Sequence, residues 1–529
     1  MEKLKKNFFI FFSIFLSALI WLIFIPIWHT PDEQSHFAQV SYLANHDFNN
    51  PGGGIKDTTE EIAVSERLLG IERDKVGNNR FTFHPEYKIE YTNSLYGKYE
   101  KYISSLVKTD SATKLVKSEA TYYPKLYYVP AALIYQIFSQ FDLFTKIYLV
   151  RFWSLLLFCV NFIFIYKIGK LIFSNNRFMA ISLTMLAGFQ PMFIFSNIGV
   201  TNDSLGNLLF TVFLYCCLKI IINGFTYKNL FFLLSSSYLA IITKVQFIII
   251  LPTIALLLTF IFFRDFNGKS RWRMIILSTG VIILALINPY KYLYLSSIDV
   301  ATESLKQVNF SSLIKFTNEY TFPHTVNEVM PWYWGVYKWL GVTYPRLVHR
   351  IINRIFFLAL FGFVIWCINK FLKKQIFDRQ LQSIILLIFS FCIYFFSIAI
   401  FDWLSWYRSG FQLGVQGRYF FPFISVVSLI TLIGWSHIFP KKWNLQSWSI
   451  KILVLLMATL NIYAIIFVIS TYYDISSFQK FIIQASQYKP WFLKGYYLIA
   501  LITLYLLSLL LLIRDLFIDS RDRTIVVKK

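Results

Sequence analysis

Long apolar runs bounded by short polar or basic stretches dominate the chain. At about 20 residues per membrane-crossing helix, they predict about twelve spans. These lie near residues 8–28, 145–166, 178–197, 203–222, 229–243, 245–263, 274–289, 351–371, 380–401, 418–438, 451–471 and 495–514. The short pair 229–243 and 245–263 meets at Lys244, where a snorkelling lysine is the plain reading. Two long stretches interrupt the pattern, from His29 to Lys146 and from Tyr290 to Arg350. In the first, the apolar run 126–140 is too short to span and follows the Tyr-rich segment Thr121–Tyr128. It reads as a helix lying at the interface. In the second, Trp332, Tyr333, Trp334 and Trp339 form an aromatic cluster suited to the headgroup level.

The expected fold is therefore an all-α integral membrane bundle. Its parts are a first span at 1–28, an outer loop at 29–146, membrane bundle at 147–289, a second outer loop at 290–350, further bundle at 351–514 and a cytoplasmic tail at 515–529. Composition agrees: 56% of the 529 residues are hydrophobic and only 15% are charged. The five cysteines fall in apolar stretches, with no disulfide framework and no metal-type spacing.

Net charge is +23, which in a soluble chain would point to nucleic acid. Its distribution gives a better account. Segments 1–7, 167–177, 219–228, 264–273, 370–379, 441–451 and 514–529 hold 24 of the 51 basic residues but 6 of the 28 acidic ones. With the amino end inside and an even number of spans, all of these segments fall on the cytoplasmic side. No nucleic-acid partner is needed. No small-residue cleavage site follows the amino-terminal apolar run, so it reads as an uncleaved span.

On this topology the unusual polar residues gather on the outer side. Asp32, Glu33 and His36 follow the first span, and Asn202 and Asp203 open the fourth. Lys244 joins the short pair, Asp402 and Arg408 end the ninth span, and Gln416, Arg418 and Tyr419 open the tenth. Ionisable groups at a membrane boundary mark a site by default. Asp32 and Glu33 point about 100° apart on a helix, so one can act as a base while the other orients a ligand. Against this, Pro31–Asp32–Glu33 also reads as a helix start with Asp32 as cap, and Asp203 can cap in the same way. His36, four residues after Asp32, shares its face, for a hydrogen bond or a divalent cation. Arg418 offers a planar fork for phosphate, between Gly414 and Gly417 on one side and the next span on the other. Lys244 and Arg408 add positive charge suited to a leaving phosphate.

The motifs Pro31–Asp32–Glu33 with His36, Thr201–Asn202–Asp203–Ser204, and Gln416–Gly417–Arg418–Tyr419 with Pro422 resemble a bacterial polytopic membrane family of unknown function. That family is grouped with the GT-C superfamily of polyprenyl-phosphate-dependent glycosyltransferases. The resemblance spans roughly residues 20–440. It implies a GT-C bundle with interfacial helices in the first outer loop, Asp32 in the general-base position, and a lipid-phosphate sugar donor. The histidine-proline usual before the family's tyrosines is here Tyr123–Pro124, a departure from the pattern.

The leading expectation is a glycosyltransferase of the bacterial cytoplasmic membrane with an outward-facing site. Asp32 and Glu33 would be catalytic. His36, Asn202, Asp203, Lys244, Arg408, Gln416, Arg418 and Tyr419 would bind substrate, with a divalent cation as a candidate cofactor. The partners would be a polyprenyl-phosphate sugar donor in the bilayer and an envelope glycan, lipid or protein acceptor. The rivals are a transporter or flippase, which would place its charges near the membrane midplane, and a non-catalytic partner of an envelope synthase.

Overall fold

The structure is a computed structural model that describes residues 2–46, 55–74, 93–106, 112–117, 120, 123–174, 176–265, 272–280, 310–338, 340–373, 378–440 and 444–518. It is built almost entirely of helices, in the order α1 (Glu2–Phe24), α2 (Glu33–Asn45), α3 (Glu60–Leu68), α4 (Asn93–Ser105), α5 (Tyr128–Ile137), α6 (Leu143–Ile172), α7 (Arg177–Gly188), α8 (Pro191–Asn197), α9 (Asp203–Asn223), α10 (Tyr227–Ile241) and α11 (Ile250–Asp265). After a helical stretch over residues 310–334 come α12 (Arg346–Leu372), α13 (Arg379–Ser409), α14 (Ile424–Ile438), α15 (Leu445–Tyr472), α16 (Phe478–Ala485) and α17 (Gly495–Ile518).

Among the described residues, eight helices are long and apolar enough to cross a membrane, or nine if α7 and α8 are one bent span. Twelve spans are thus not reached. The first run is helical only to Phe24, and its apolar part, Phe9–Phe24, is short of a full crossing. The run at 229–243 gives the 15-residue α10. Most of the span expected at 274–289 lies outside the described residues.

Several helices begin where short polar side chains satisfy free backbone N–H groups. Asp142 accepts from the Thr145 amide at 2.8 Å, Asn176 from Met179 at 3.2 Å and Asp378 from Gln380 at 3.1 Å. One expected span, 178–197, is broken: α7 and α8 meet at 62°. Pro191 cannot donate into α7, so the backbone there needs other partners. The Gln190 side chain accepts from the Phe193 amide and donates to the Tyr333 carbonyl at 2.5 Å. Asn461 of α15 donates to the Phe189 carbonyl at 3.2 Å and accepts from Ser17 of α1 at 2.9 Å.

Two glycines let α12 and α14 touch backbone to backbone. A Cβ on Gly434 would collide with the Ala359 carbonyl, and one on Gly362 with the Gly434 carbonyl. Small residues at such crossings are how packing stabilises helices where lipid supplies no hydrophobic drive.

The segment after α2 contains strands that the sequence pattern did not predict. β1 (Ile55–Thr59) pairs antiparallel with β2 (Ala112–Lys117). A second, two-residue pairing joins Val336–Tyr337 to Val342–Thr343. The first segment is tied to the bundle by Glu61, which accepts from Lys146 at 2.7 Å and from the Tyr135 hydroxyl at 2.7 Å. The expected interfacial run forms α5, with Leu133 and Ile137 exposed. The five cysteines are all free.

Candidate active site

Segments distant in sequence meet at one end of the bundle. The chain leaves α1 at Phe24, and Pro26 cannot extend that helix. Trp28 and Asp32 then take positive φ angles of 67° and 57°, which non-glycine residues seldom adopt. Glu33 holds this turn in place. Its Oε1 accepts from Arg151 Nε at 2.7 Å and the Val200 amide at 3.2 Å, and its Oε2 accepts from Arg151 Nη2 at 2.6 Å and the Trp28 amide at 2.9 Å. Arg151 gives its remaining donors to the carbonyls of Leu22, Ile25 and Pro26 at 3.2, 2.8 and 2.9 Å. Both side chains are fully buried. With four donors on its two oxygens, Glu33 has no lone pair left for a substrate. The expectation that it shares the chemistry with Asp32 gives way to a clamp that shapes the turn.

Asp32 is used differently. It stands at the capping position ahead of α2, yet its side chain caps nothing. The carboxylate, 44% exposed, instead accepts from Arg418 Nη2 at 2.7 Å. The capping alternative is therefore overturned. Burial by itself would raise the Asp32 carboxyl, but the Arg418 guanidinium outweighs it and holds the group below the ordinary carboxylate value.

His36 lies on the same face but does not bond Asp32. Its Nδ1 shares a 2.6 Å hydrogen bond with the Tyr128 hydroxyl, and its ring lies nearly parallel to those of Tyr123 and Tyr128 with centroids at 5.8 and 5.9 Å. Burial lowers His36 to about 4, so the ring is neutral at physiological pH. Burial likewise keeps the Tyr128 phenol protonated. The neighbouring Tyr127 hydroxyl accepts from the Thr201 amide at 3.1 Å and bonds Ser154 at 2.7 Å, fixing the loop ahead of α9. Gly199 permits the tight contact of that loop with Thr30, which any Cβ would strike.

Asn202 occupies the capping position of α9 without a side-chain cap, and its Nδ2 is buried with no hydrogen-bond partner among the described residues. Asp203 is the first residue of the helix and does not cap it either; it pairs with Lys244. The Lys244 stem lies across Gly206, whose missing side chain makes room for it. The basic residue at the junction of the two short runs is thus committed to the site rather than to the interface.

Gly417 lies against the backbone of Trp332 and Tyr333, which a Cβ would strike. This contact delivers Arg418 to Asp32, and the guanidinium also lies 5.6 Å from the Tyr419 ring centre. Gln416 turns the chain, its carbonyl accepting from the Tyr419 amide at 3.1 Å. The Tyr419 carbonyl accepts from Tyr394 at 2.8 Å, and Tyr394 accepts from Gln246 at 3.2 Å. Arg408 is exposed on the last turn of α13. Asp402 is buried and accepts from the Leu413 amide at 2.7 Å, holding the loop that precedes Gln416.

The structure thus joins Asp32, His36, Asp203, Lys244, Arg418 and Tyr419. Charge arithmetic is even, two carboxylates against two cations around a neutral imidazole. Asp32 and Asp203 each face a basic side chain, an arrangement that suits an anion better than a divalent cation. Among the described residues, no three His, Cys, Asp or Glu converge as metal ligands. Sequence reasoning missed Arg151, Tyr127 and Tyr128. Arg151 was the legible one, a charge inside an apolar run.

Beside the site, Tyr333 and Trp334 line a cavity of about 280 Å³ that continues between Ile352, Val427 and Leu460 of the spanning helices.

The fold is similar to that of ArnT from Cupriavidus metallidurans in the apo state, at 12% identity and a TM-score of 0.37 over 84% of this chain and 62% of that one. It is also similar to the oligosaccharyltransferase AglB from Archaeoglobus fulgidus in complex with an inhibitory peptide and a dolichol-phosphate, at 12% identity and 0.45 over 88% of this chain and 56% of that one. ArnT bound to undecaprenyl phosphate matches at 10% and 0.38, over 90% and 76%. This chain therefore spans less than two thirds of apo ArnT and of AglB. No curated protein matches by sequence. A family model does match, over residues 15–427, and the chain belongs to that family, the predicted membrane proteins described as DUF2142.

Proposed function

We propose that this protein is a membrane glycosyltransferase. It would move a sugar from a polyprenyl-phosphate donor to a hydroxyl of an envelope glycan, lipid or protein on the outer face of the bacterial cytoplasmic membrane. The observation that carries this reading is Asp32. It is a carboxylate that caps no helix, is part-exposed and sits 2.7 Å from an arginine at the end of a spanning bundle, features that support a role in proton transfer beside an anion.

In the reaction, Asp32 takes the proton of the acceptor hydroxyl as its oxygen attacks the anomeric carbon. The bond from that carbon to the phosphate oxygen breaks, and polyprenyl phosphate leaves with the electron pair. A single displacement inverts the centre. Arg418 and Lys244, the two cations of the cluster, would stabilise the negative charge that grows on the leaving phosphate. The cavity beside Tyr333 offers the prenyl chain an apolar bed. His36, held neutral by burial beside Tyr123 and Tyr128, would add a hydrogen-bonding wall for the sugar or acceptor.

The test is transfer from a polyprenyl-phosphate sugar in reconstituted membranes. Asp32→Asn should lower the rate about 10²–10⁴-fold, the usual worth of a general base, with expression unchanged. Transfer at the parental rate would remove Asp32 from the chemistry. Mass spectrometry of envelope glycans from a deletion strain would name the sugar.

One observation favours transport instead, the 62° break between α7 and α8 within the bundle. The side chains at that break, Gln190 and Asn461, are uncharged and spent on backbone groups and the Ser17 hydroxyl, whereas coupling sites need titratable or ion-binding groups. Proteoliposomes showing substrate flux without glycosyl product would favour that alternative.

A further inference from the structure

Arg418 uses only part of its binding edge. Nη2 donates to Asp32, while Nε, on the same edge of the guanidinium, is buried with no hydrogen-bond partner among the described residues. Nε and Nη2 together form the fork that grips two oxygens of a phosphate side-on. The Asp32 carboxylate takes one tine and leaves the other unfilled.

The two ion pairs of the site also differ in how firmly they are held. Asp203 and Lys244 have side chains 16% and 14% exposed, and the lysine stem is laid across Gly206. The Asp32 side chain is 44% exposed, caps nothing, and has Arg418 as its hydrogen-bonding partner. An arriving phosphate ester finds both cations already neutralised. The pair it can open at least cost is the exposed one, because the departing carboxylate regains water.

We propose that a phosphate anion and the Asp32 carboxylate compete for Arg418, so that binding of the phosphate-bearing substrate is what releases Asp32. The proposal rests on the transferase reading for the identity of that substrate. The consequence is an ordered site. Without the anion, Asp32 is a neutralised and weak base. With it, Asp32 loses the cation that holds it down, while partial burial and the nearby charge of Asp203 push it up, with His36 and Lys244 as the other groups bearing on the pocket. A stronger base then exists only when the leaving group is in place. Coupling of this kind is reciprocal: whatever weakens the carboxylate's hold on Arg418 strengthens anion binding by the same factor, typically 5–150-fold.

The test is binding, which needs no turnover. The purified protein in detergent is titrated with a short polyprenyl monophosphate, with the corresponding polyprenol as the neutral control, and inorganic phosphate in a separate arm. Asp32→Asn should bind the monophosphate at least about fivefold more tightly than the parent, although its sugar transfer is crippled. Arg418→Ala should lose the preference for monophosphate over polyprenol. Arg418→Lys, which keeps charge without the fork, should bind between the two. Tighter binding of inorganic phosphate by Asp32→Asn supports the competition and names a soluble anion; tighter binding of the prenyl form alone supports it and names the lipid. Equal or weaker binding by Asp32→Asn, with Asp32→Ala agreeing and both melting like the parent, overturns the competition. A switch in binding without any glycosyl transfer would sink the transferase reading and leave the competition standing.

Discussion

Asp32 and Glu33 are adjacent in the chain and opposite in use. Glu33 is a buried charge whose partner, Arg151, comes from 118 residues away. Breaking such a pair leaves an uncompensated charge, which costs about 3–5 kcal/mol. Arg151→Met should therefore destabilise the protein by that order, read as a large drop in thermal unfolding temperature in detergent. Asp32→Asn, at a part-exposed pair, should leave that temperature nearly unchanged. Adding Glu33→Leu to Arg151→Met should recover only part of the loss, because the carbonyls of Leu22, Ile25 and Pro26 also lose donors. Melting of Arg151→Met at the parental temperature would refute the clamp. The motif around Asp32 was visible in the sequence as an acidic pair after an apolar run. Which acid was clamp and which was site was not, since the answer depended on a charge in another helix.

At the scale of elements, hydropathy reports length and not direction. It found α6, α9, α12, α13, α15 and α17, because each is an unbroken apolar run. It merged α7 and α8 into one span, although Gly188 and Pro191 flank the break and were the local cue. It gave no hint of the β1–β2 pairing, whose residues are mostly polar and distant in sequence. Gly417 is where element geometry meets the site. A methyl group there would strike the backbone of Trp332 and Tyr333, which cannot yield as a flexible side chain would. The Gly417→Ala variant should lose about 1–3 kcal/mol to overpacking. Its effect on phosphate binding should be disproportionate, because Arg418 is displaced from Asp32 by the same shift. Parental affinity for polyprenyl monophosphate in Gly417→Ala would detach the close approach from the site.

For the whole molecule, among the described residues three of the basic segments, 167–177, 219–228 and 370–379, meet at helix ends opposite the site. Arg379 donates to the Ile222 carbonyl at 2.6 Å and Gln380 to that of Ile172 at 3.2 Å, so the far ends of α6 and α9 gather at the start of α13. Asp203 and Arg151 lie toward the other ends of α9 and α6, beside Asp32 and Glu33. If positive segments stay in the cytoplasm, the site faces out. The prediction can be read from single cysteines in a background lacking the five native ones. Lys98→Cys lies exposed on α4, which joins the site-bearing end through the Glu100–Lys494 pair. Lys228→Cys is exposed on α10 near the basic end. A membrane-impermeant maleimide should label the first in intact cells and the second only after permeabilisation. The reverse result would turn the site toward the cytoplasm, where nucleotide sugars are at hand. The argument for a lipid-linked donor would then fall with it, while the clamp, the break and the Asp32–Arg418 pair would stand as they are.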